Sequence, residues 1–77
     1  MMQARSFSKA IAIEGSLITN PDQAANYLLE RWPVSGGEQY EFAKRVCLEA
    51  IEGKREPDDA RAALVLAARE AGISATA

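Results

Sequence analysis

The sequence predicts a small α+β domain in which an N-terminal two-stranded antiparallel hairpin packs on a three-helix bundle. Apolar residues first alternate with small or polar ones, which is the period of a strand, and three later segments repeat them every three to four positions, as helices do. The chain has 77 residues and is 48% apolar, which is enough for one core only. We therefore expect a single domain over residues 1–77, with frayed ends at residues 1–5 and 74–77.

The hairpin is predicted from the first apolar segment of the chain. Bulky side chains alternate with small ones over residues 7–13, a pattern typical of a strand with one buried face. Glu14-Gly15 follows as a turn in which the glycine can adopt positive φ, and a short returning strand comes next. A two-residue loop would pair Ile11 with Ile18, whereas a three-residue loop would pair Ile13 with Leu17. The sequence leaves both registers open.

The first helix is predicted between two prolines. Asn20 can act as the N-cap, Pro21 suits the first helical position, and Gln23 can bond back to the amide of Asn20. Because Pro33 disfavours helical backbone at the residue before it, we expect the helix to end at Trp32.

The second helix is predicted from its capping residues and from an apolar stripe. Ser35 and Glu38 have the spacing of a capping box, and Gly53 suits the left-handed position after the last turn. The predicted buried stripe consists of Tyr40, Ala43, Val46, Cys47, Ala50 and Ile51.

The third helix is predicted to run from Pro57 to about Ala71. Proline suits the first turn, and the two aspartates that follow it stabilise the positive end of the helix dipole. Gly72 closes the helix as a left-handed cap, and Ile73 folds back as the hydrophobic contact of a Schellman motif.

The composition argues against most catalytic and metal-binding chemistry. The chain has no histidine, which removes the usual general base and the commonest metal ligand. Its one cysteine, Cys47, falls on the predicted buried stripe and cannot form an internal disulfide. We therefore expect a protein that is not an enzyme, with no cofactor and no bound metal. Since a single thiol does not require an oxidising compartment, we also expect a cytoplasmic location.

Charge and hydropathy give expectations about nucleic-acid and membrane partners. The net charge of -2 offers no general attraction to nucleic acid or to an anionic membrane. The longest apolar run, residues 62–68, is far shorter than the roughly 20 residues of a membrane span. The local concentration of positive charge comprises Lys44, Arg45, Lys54 and Arg55. These residues suggest an alternative function, weak nucleic-acid binding by the basic loop between the second and third helices. Interleaved glutamates weaken this alternative, so we expect neither a nucleic-acid nor a membrane partner.

Apolar residues that lie off the buried stripes predict a protein partner. Phe42 and Leu48 lie on opposite sides of the second helix, about 100° and 140° from Ala43, and Leu66 lies about 160° from Leu64 on the third. We expect a small interaction or regulatory module that forms a homodimer or binds an unidentified protein, with Phe42, Leu48 and Leu66 as its surface. The alternative, also open, is that the helices and the hairpin bury these residues among themselves.

Three motifs together resemble one bacterial family. Trp32-Pro33 ends the first helix, the second helix contains Cys47-x-x-Ala50-x-x-Gly53, and the third segment begins with Ala-Arg at residue 60 and ends with Glu-Ala-Gly-Ile at residue 73. In this order they resemble the domain of unknown function 982, from Ala10 to Ile73. Leu64 stands where an aromatic residue is common in that family, a departure that concerns packing. The resemblance implies the same α+β fold and no activity, since none is established for the family.

The family pattern singles out Trp32 and Arg61, and both have a structural interpretation. We expect Trp32 to fill the junction between the first and second helices, with its indole N–H bonded to a nearby carbonyl. We expect Arg61, at the edge of the buried stripe, to tie helix ends or acidic side chains together. With Pro33, Gly53 and Gly72, these residues are predicted to form the scaffold and not a ligand site.

Overall fold

The structure is a computed structural model that describes residues 6–33 and 36–76. It confirms the predicted α+β fold, with an N-terminal hairpin and three helices. The elements in chain order are β1 (Ile11–Ile13), β2 (Ser16–Ile18), α1 (Pro21–Glu30), α2 (Glu38–Ile51), α3 (Pro57–Ala71) and β3 (Ala75–Thr76). The strands form an antiparallel sheet in the order β2-β1-β3, so the hairpin gains a third strand from the other end of the chain.

The hairpin has the shorter of the two loops that the sequence left open. Ile11 pairs with Ile18. Both loop residues have positive φ, 48° at Glu14 and 87° at Gly15, as a two-residue hairpin turn of the I′ type requires. The predicted first strand, over residues 7–13, is too long, because pairing begins only at Ile11.

The segment before β1 is held on two sides, by α3 and by the residue after β2, where the Thr19 carbonyl accepts from the Phe7 N–H at 2.8 Å. The Ser8 N–H donates to Oδ1 of Asp58 at 2.8 Å. One residue later, Nε of Arg61 donates to the Lys9 carbonyl at 2.7 Å. Phe7 is nevertheless buried in the core. The first turns of α3 therefore fix the path along which the chain enters the sheet.

The C-terminal end forms a strand, whereas the sequence predicts fraying over residues 74–77. Gly72 has the predicted left-handed backbone, and the Ile73 N–H donates to the Ala68 carbonyl at 3.0 Å, which confirms the Schellman end. This turn redirects the chain so that Ala75–Thr76 pairs with β1. A strand of two residues is too short to show an alternating pattern, so β3 could not be recognised in the sequence. The other predicted frayed end, residues 1–5, lies outside the described residues.

The start of α1 is close to the prediction. The Gln23 N–H donates to Oδ1 of Asn20 at 2.8 Å, which confirms the N-cap. The Gln23 side chain accepts from the N–H of Thr19 at 2.8 Å, one residue before the expected amide. The helix ends at Glu30 and not at Trp32, because Arg31 already has non-helical backbone, with φ at -128°.

The predicted C-terminal end of α2 is confirmed, whereas its predicted N-cap is not among the described residues. Gly53 has φ of 83°, and the Lys54 N–H donates to the Glu49 carbonyl at 2.8 Å, which confirms the left-handed end. The N-terminus begins directly after Gly37. The predicted cap Ser35 lies outside the described residues.

Alanine is the commonest buried residue of α2 and α3. The buried alanines of these two helices are Ala43, Ala50, Ala60, Ala63, Ala67 and Ala68. Short side chains let helix backbones approach closely. The largest fully buried side chains are Ile11, Ile13, Leu28, Leu64, Val46 and Cys47.

Candidate interaction surface

The side of α2 that faces away from the core presents a large aliphatic side chain to solvent. We call this side the α2 outer face; it consists of Glu41, Lys44, Arg45, Leu48, Ile51 and Glu52. Leu48 is two residues from Val46 and two from Ala50, both of which are buried, and so lies about 160° around the helix from each. Its side chain is 53% exposed. The predicted exposure of Leu48 is therefore what the structure shows.

Ile51 adds to this surface, although the sequence placed it on the buried stripe. It is 41% exposed. The prediction that Ile51 is buried fails because Ile51 is the last residue of α2. The chain leaves the helix through Glu52 and Gly53. Since Ile51 and Leu48 are three residues apart on one helix, their side chains are neighbours on the surface.

Phe42 differs from the other two predicted surface residues, because it is half-buried and packs against the core. The guanidinium carbons of Arg45 and Arg55 lie 5.9 and 5.8 Å from the centre of its ring. Two cations over one ring are a favourable arrangement for an aromatic side chain. Phe42 therefore offers less free apolar surface than its helical position suggests.

Leu66, the third predicted residue, is exposed but belongs to α3. The structure therefore does not place the three candidates on a single helix face. Leu17 on β2 and Leu29 on α1 are also exposed, and neither was among the predicted surface residues. Of the described residues, Leu48 and Ile51 are the exposed large aliphatic pair that shares one turn of a helix.

The four residues of the predicted basic patch lie beside acidic or aromatic groups. Lys44 lies 3.4 Å from Glu41, and its ammonium group is 4.8 Å from the centre of the Tyr40 ring. Lys54 lies 3.4 Å from Glu52.

Arg55 forms the shortest of these ion pairs, 2.6 Å from its Nε to Oε1 of Glu49. This hydrogen bond lowers the pKa of the Glu49 carboxyl, with a smaller contribution from the charge of Arg45. Arg45 lies over the Phe42 ring. Each cation thus has a nearby partner, and acidic and basic groups alternate along this side of the molecule.

The N-terminus of α2 is capped by a side chain from the end of α3. The Glu70 carboxylate accepts hydrogen bonds from the N–H of Gln39 at 3.0 Å and of Tyr40 at 3.1 Å. A Cβ on Gly37 would lie 2.5 Å from Oε1 of Glu70, so a side chain there would displace this carboxylate, and the φ of 107° at Gly37 also favours glycine. Backbone amides at a helix start can bind an anion, and here a residue of the chain itself occupies them.

Sequence reasoning missed this role of Glu70, although one signal was present. A glutamate in the last turn of a helix opposes the helix dipole, so its presence there indicates a second role. The sequence predicts that Arg61 ties helix ends or acidic side chains together, whereas in the structure its Nε donates to the Lys9 carbonyl, in the segment before β1. The partner is a backbone group and not an acidic side chain.

Trp32 lies at the predicted junction between the first two helices. Its ring packs edge-on against Tyr27, with 5.9 Å between centroids, and at 6.2 Å from Tyr40. The Tyr40 hydroxyl donates to the Leu28 carbonyl at 3.0 Å, which joins α1 to α2. The predicted hydrogen bond from the indole N–H has no acceptor among residues 6–33 and 36–76.

Cys47 is fully buried, as predicted. Burial raises the pKa of its thiol to about 12, so the reactive thiolate is scarce at neutral pH. Among the described residues, there is no group of three or more potential metal ligands. Within those same ranges, the helices are all too short or too polar to cross a bilayer.

Comparison with known proteins identifies a family for the chain. A family model described as a protein of unknown function (DUF982) matches residues 5–75, which is most of the chain. Comparisons with curated proteins and with solved structures give no significant match.

Proposed function

The chain belongs to the DUF982 family of proteins of unknown function, and we propose that it is a small non-enzymatic interaction module that self-associates through the α2 outer face. The observation that supports this proposal best is the position of Leu48. It is 53% exposed and points away from the core, although the domain is small and short of large buried side chains. Exposed aliphatic groups surrounded by charged residues are typical of protein-binding surfaces.

The motif residues have structural roles, which favours an interaction module over an enzyme. Cys47 and Ala50 are buried, Gly53 and Gly72 end helices in left-handed geometry, and Arg61 holds the segment before β1. Groups used in this way are not free to act on a substrate. We therefore expect the function to depend on surface residues that do not have such structural roles.

The nucleic-acid alternative receives less support from the geometry. Lys44, Lys54 and Arg55 each lie beside a glutamate, which would compete with phosphate groups for the same charge. A gel shift with mixed DNA and RNA over a series of salt concentrations tests this alternative directly. Binding that weakens steeply with added salt would favour it over self-association.

Sedimentation of wild type and of Leu48→Lys tests the proposed function. We expect the wild type to show a concentration-dependent increase in average mass up to about 1 mM. One exposed helix face is small for a protein–protein interface, and small interfaces form weak, transient complexes. Leu48→Lys should remain monomeric at the same concentrations. The matched control is Leu17→Lys, which changes another exposed leucine, on β2, and should associate like the wild type.

Two results would contradict the proposal. One is a wild type that stays monomeric throughout the concentration range. The other is equal association of wild type and Leu48→Lys. Leu48 and Leu17 are both exposed, so Leu48→Lys and Leu17→Lys should keep the wild-type circular dichroism spectrum. Misfolding would then not explain a loss of association.

A further inference from the structure

We infer that two copies of the chain pair through α2 in antiparallel orientation, with Leu48 of each copy on the two-fold axis and Lys44 of each opposite Glu52 of the other. This inference rests on the proposed function and specifies its geometry. It follows from the order of charges along the α2 outer face.

The charges lie symmetrically about Leu48. Lys44 precedes it by four residues and Glu52 follows it by four. A spacing of four residues is about 40° from a full turn, so both charges lie on the side of the helix that presents Leu48. Opposite charges at equal distances on the two sides of one apolar residue are what a self-complementary contact needs.

Antiparallel pairing with Leu48 on the axis places unlike charges together. In that arrangement, a residue four positions before Leu48 faces one four positions after it, so Lys44 faces Glu52 of the other copy. Two-fold symmetry repeats this contact on the other side of the axis, so a pair of opposite charges closes each end of the apolar centre.

Two other simple arrangements place like charges together. In a parallel pair, Lys44 faces Lys44 and Glu52 faces Glu52, which is repulsive. An antiparallel register shifted by about one turn, with Leu48 opposite Arg45, places Glu41 opposite Glu52. The order of charges thus disfavours both the parallel pair and this shifted register.

The ion pairs within each protomer are compatible with this contact. Lys44 pairs with Glu41, and Glu52 pairs with Lys54, both at 3.4 Å. The Lys44 side chain is 29% exposed and its ammonium group also lies over the Tyr40 ring, whereas Glu41, Glu52 and Lys54 are more exposed. Ion pairs with exposed partners at this distance bind weakly and rearrange at little cost. In the dimer, the Glu41–Lys44 pair of one copy meets the Glu52–Lys54 pair of the other, which gives a row of alternating charges on each side of the axis.

Charge reversal tests this geometry. Lys44→Glu places two glutamates opposite each other at both ends of the contact, and Glu52→Lys does the same with two lysines. We expect each single variant to associate about tenfold more weakly than the wild type. The double variant Lys44→Glu/Glu52→Lys restores unlike charges in the same chain, so we expect it to recover to within about threefold of wild type.

An equimolar mixture of the two single variants provides a second test. The Lys44→Glu chain is acidic at both contact positions and the Glu52→Lys chain is basic at both. If the copies pair as proposed, unlike charges meet at both ends of a mixed dimer, which should form where neither variant associates alone. The matched control is Glu30→Lys, a charge reversal on α1, which should associate like the wild type. Circular dichroism of each variant checks that the fold is kept.

The outcomes separate this inference from the proposed function. If the wild type associates and Leu48→Lys does not, but charge reversal is without effect or is not rescued in the double variant and the mixture, the antiparallel geometry is wrong and the proposed function stands. If the wild type does not associate at all, both are wrong. Rescue in both the double variant and the mixture supports the inference.

Discussion

α3 and the α2 outer face use their side chains in opposite ways. One side of α3 is buried, and three of its charged residues, Asp58, Arg61 and Glu70, bond to the backbone of other segments. On the α2 outer face, the ion pairs join residues close in sequence, and the Leu48 side chain is 53% exposed. α3 therefore organises the fold, whereas the α2 outer face keeps a large aliphatic side chain exposed.

The difference also shows that charge alone does not indicate a site. Both regions contain acidic and basic residues, but those of α3 serve as caps and ties that fix where neighbouring segments lie. A site on this molecule is better sought where the charges surround an exposed apolar residue and bind nothing far away in the chain.

The largest effect is expected from shortening a buried side chain of α3. Leu64 is fully buried, so Leu64→Ala should lower the free energy of unfolding by about 2–5 kcal/mol, through lost burial and the cavity that remains. Leu66→Ala is the matched control on the same helix, and because Leu66 is exposed it should cost less than about 1 kcal/mol. Urea unfolding measures both. Equal losses would contradict the assignment of inner and outer sides of α3.

A smaller effect is expected from removing the cap on α2. Glu70→Ala leaves the amides of Gln39 and Tyr40 without their acceptor, which should cost about 1–2 kcal/mol of unfolding free energy. The matched control is Glu30→Ala, which removes a glutamate from the last turn of α1, where it opposes the helix dipole. The control should be neutral or slightly stabilising in the same urea experiment. If Glu70→Ala leaves the free energy of unfolding unchanged, the Glu70 cap does not stabilise the N-terminus of α2.

The smallest effect concerns pH. The hydrogen bond from the Ser8 N–H lowers the pKa of the Asp58 carboxyl. A carboxyl with a lowered pKa in the folded state stabilises the fold above its ordinary pKa of about 4, and this contribution is lost as the pH falls through the folded value. Thermal melts of wild type and Asp58→Asn should therefore differ most near neutral pH and converge in acid. A difference that stays constant with pH would show that the Ser8 contact does not act through the ionised carboxylate.

Much of the fold could be predicted because its helix ends are determined by residues close in sequence. Asn20 caps an amide three residues away, and Gly53 and Gly72 end their helices through bonds to carbonyls of the preceding turn. Each of these signals is local, and each is confirmed. The fold class follows from the same kind of signal, since periodicity is also a local property.

The contacts that were missed join residues distant in the chain. Glu70 binds amides about thirty residues away, and Asp58 binds the N–H of Ser8 fifty residues away. Two-residue β3 pairs with a strand at the other end of the chain. A sequence pattern specifies the direction of a side chain but not what another segment places there, so these contacts had no signature beyond the unfavourable position of Glu70.

Helical phase gives the direction of a side chain but not its neighbours, which explains why the candidate surface was predicted only in part. Helical phase predicted that Leu48 and Leu66 face away from the core, and both are exposed. It could not predict that Arg45 and Arg55 would lie over the Phe42 ring. Nor could it predict that Ile51, on the buried stripe by phase, would be exposed because the helix ends there.

A dilution series of amide NMR spectra shows whether the α2 outer face, and not α3, binds a second copy. Between about 1 mM and a concentration tenfold lower, we expect the amide shifts of Lys44, Leu48 and Glu52 to change together, while those along the buried side of α3 stay constant. Concentration-dependent shifts confined to α3 or to the edge strand β2, or none anywhere, would contradict the account.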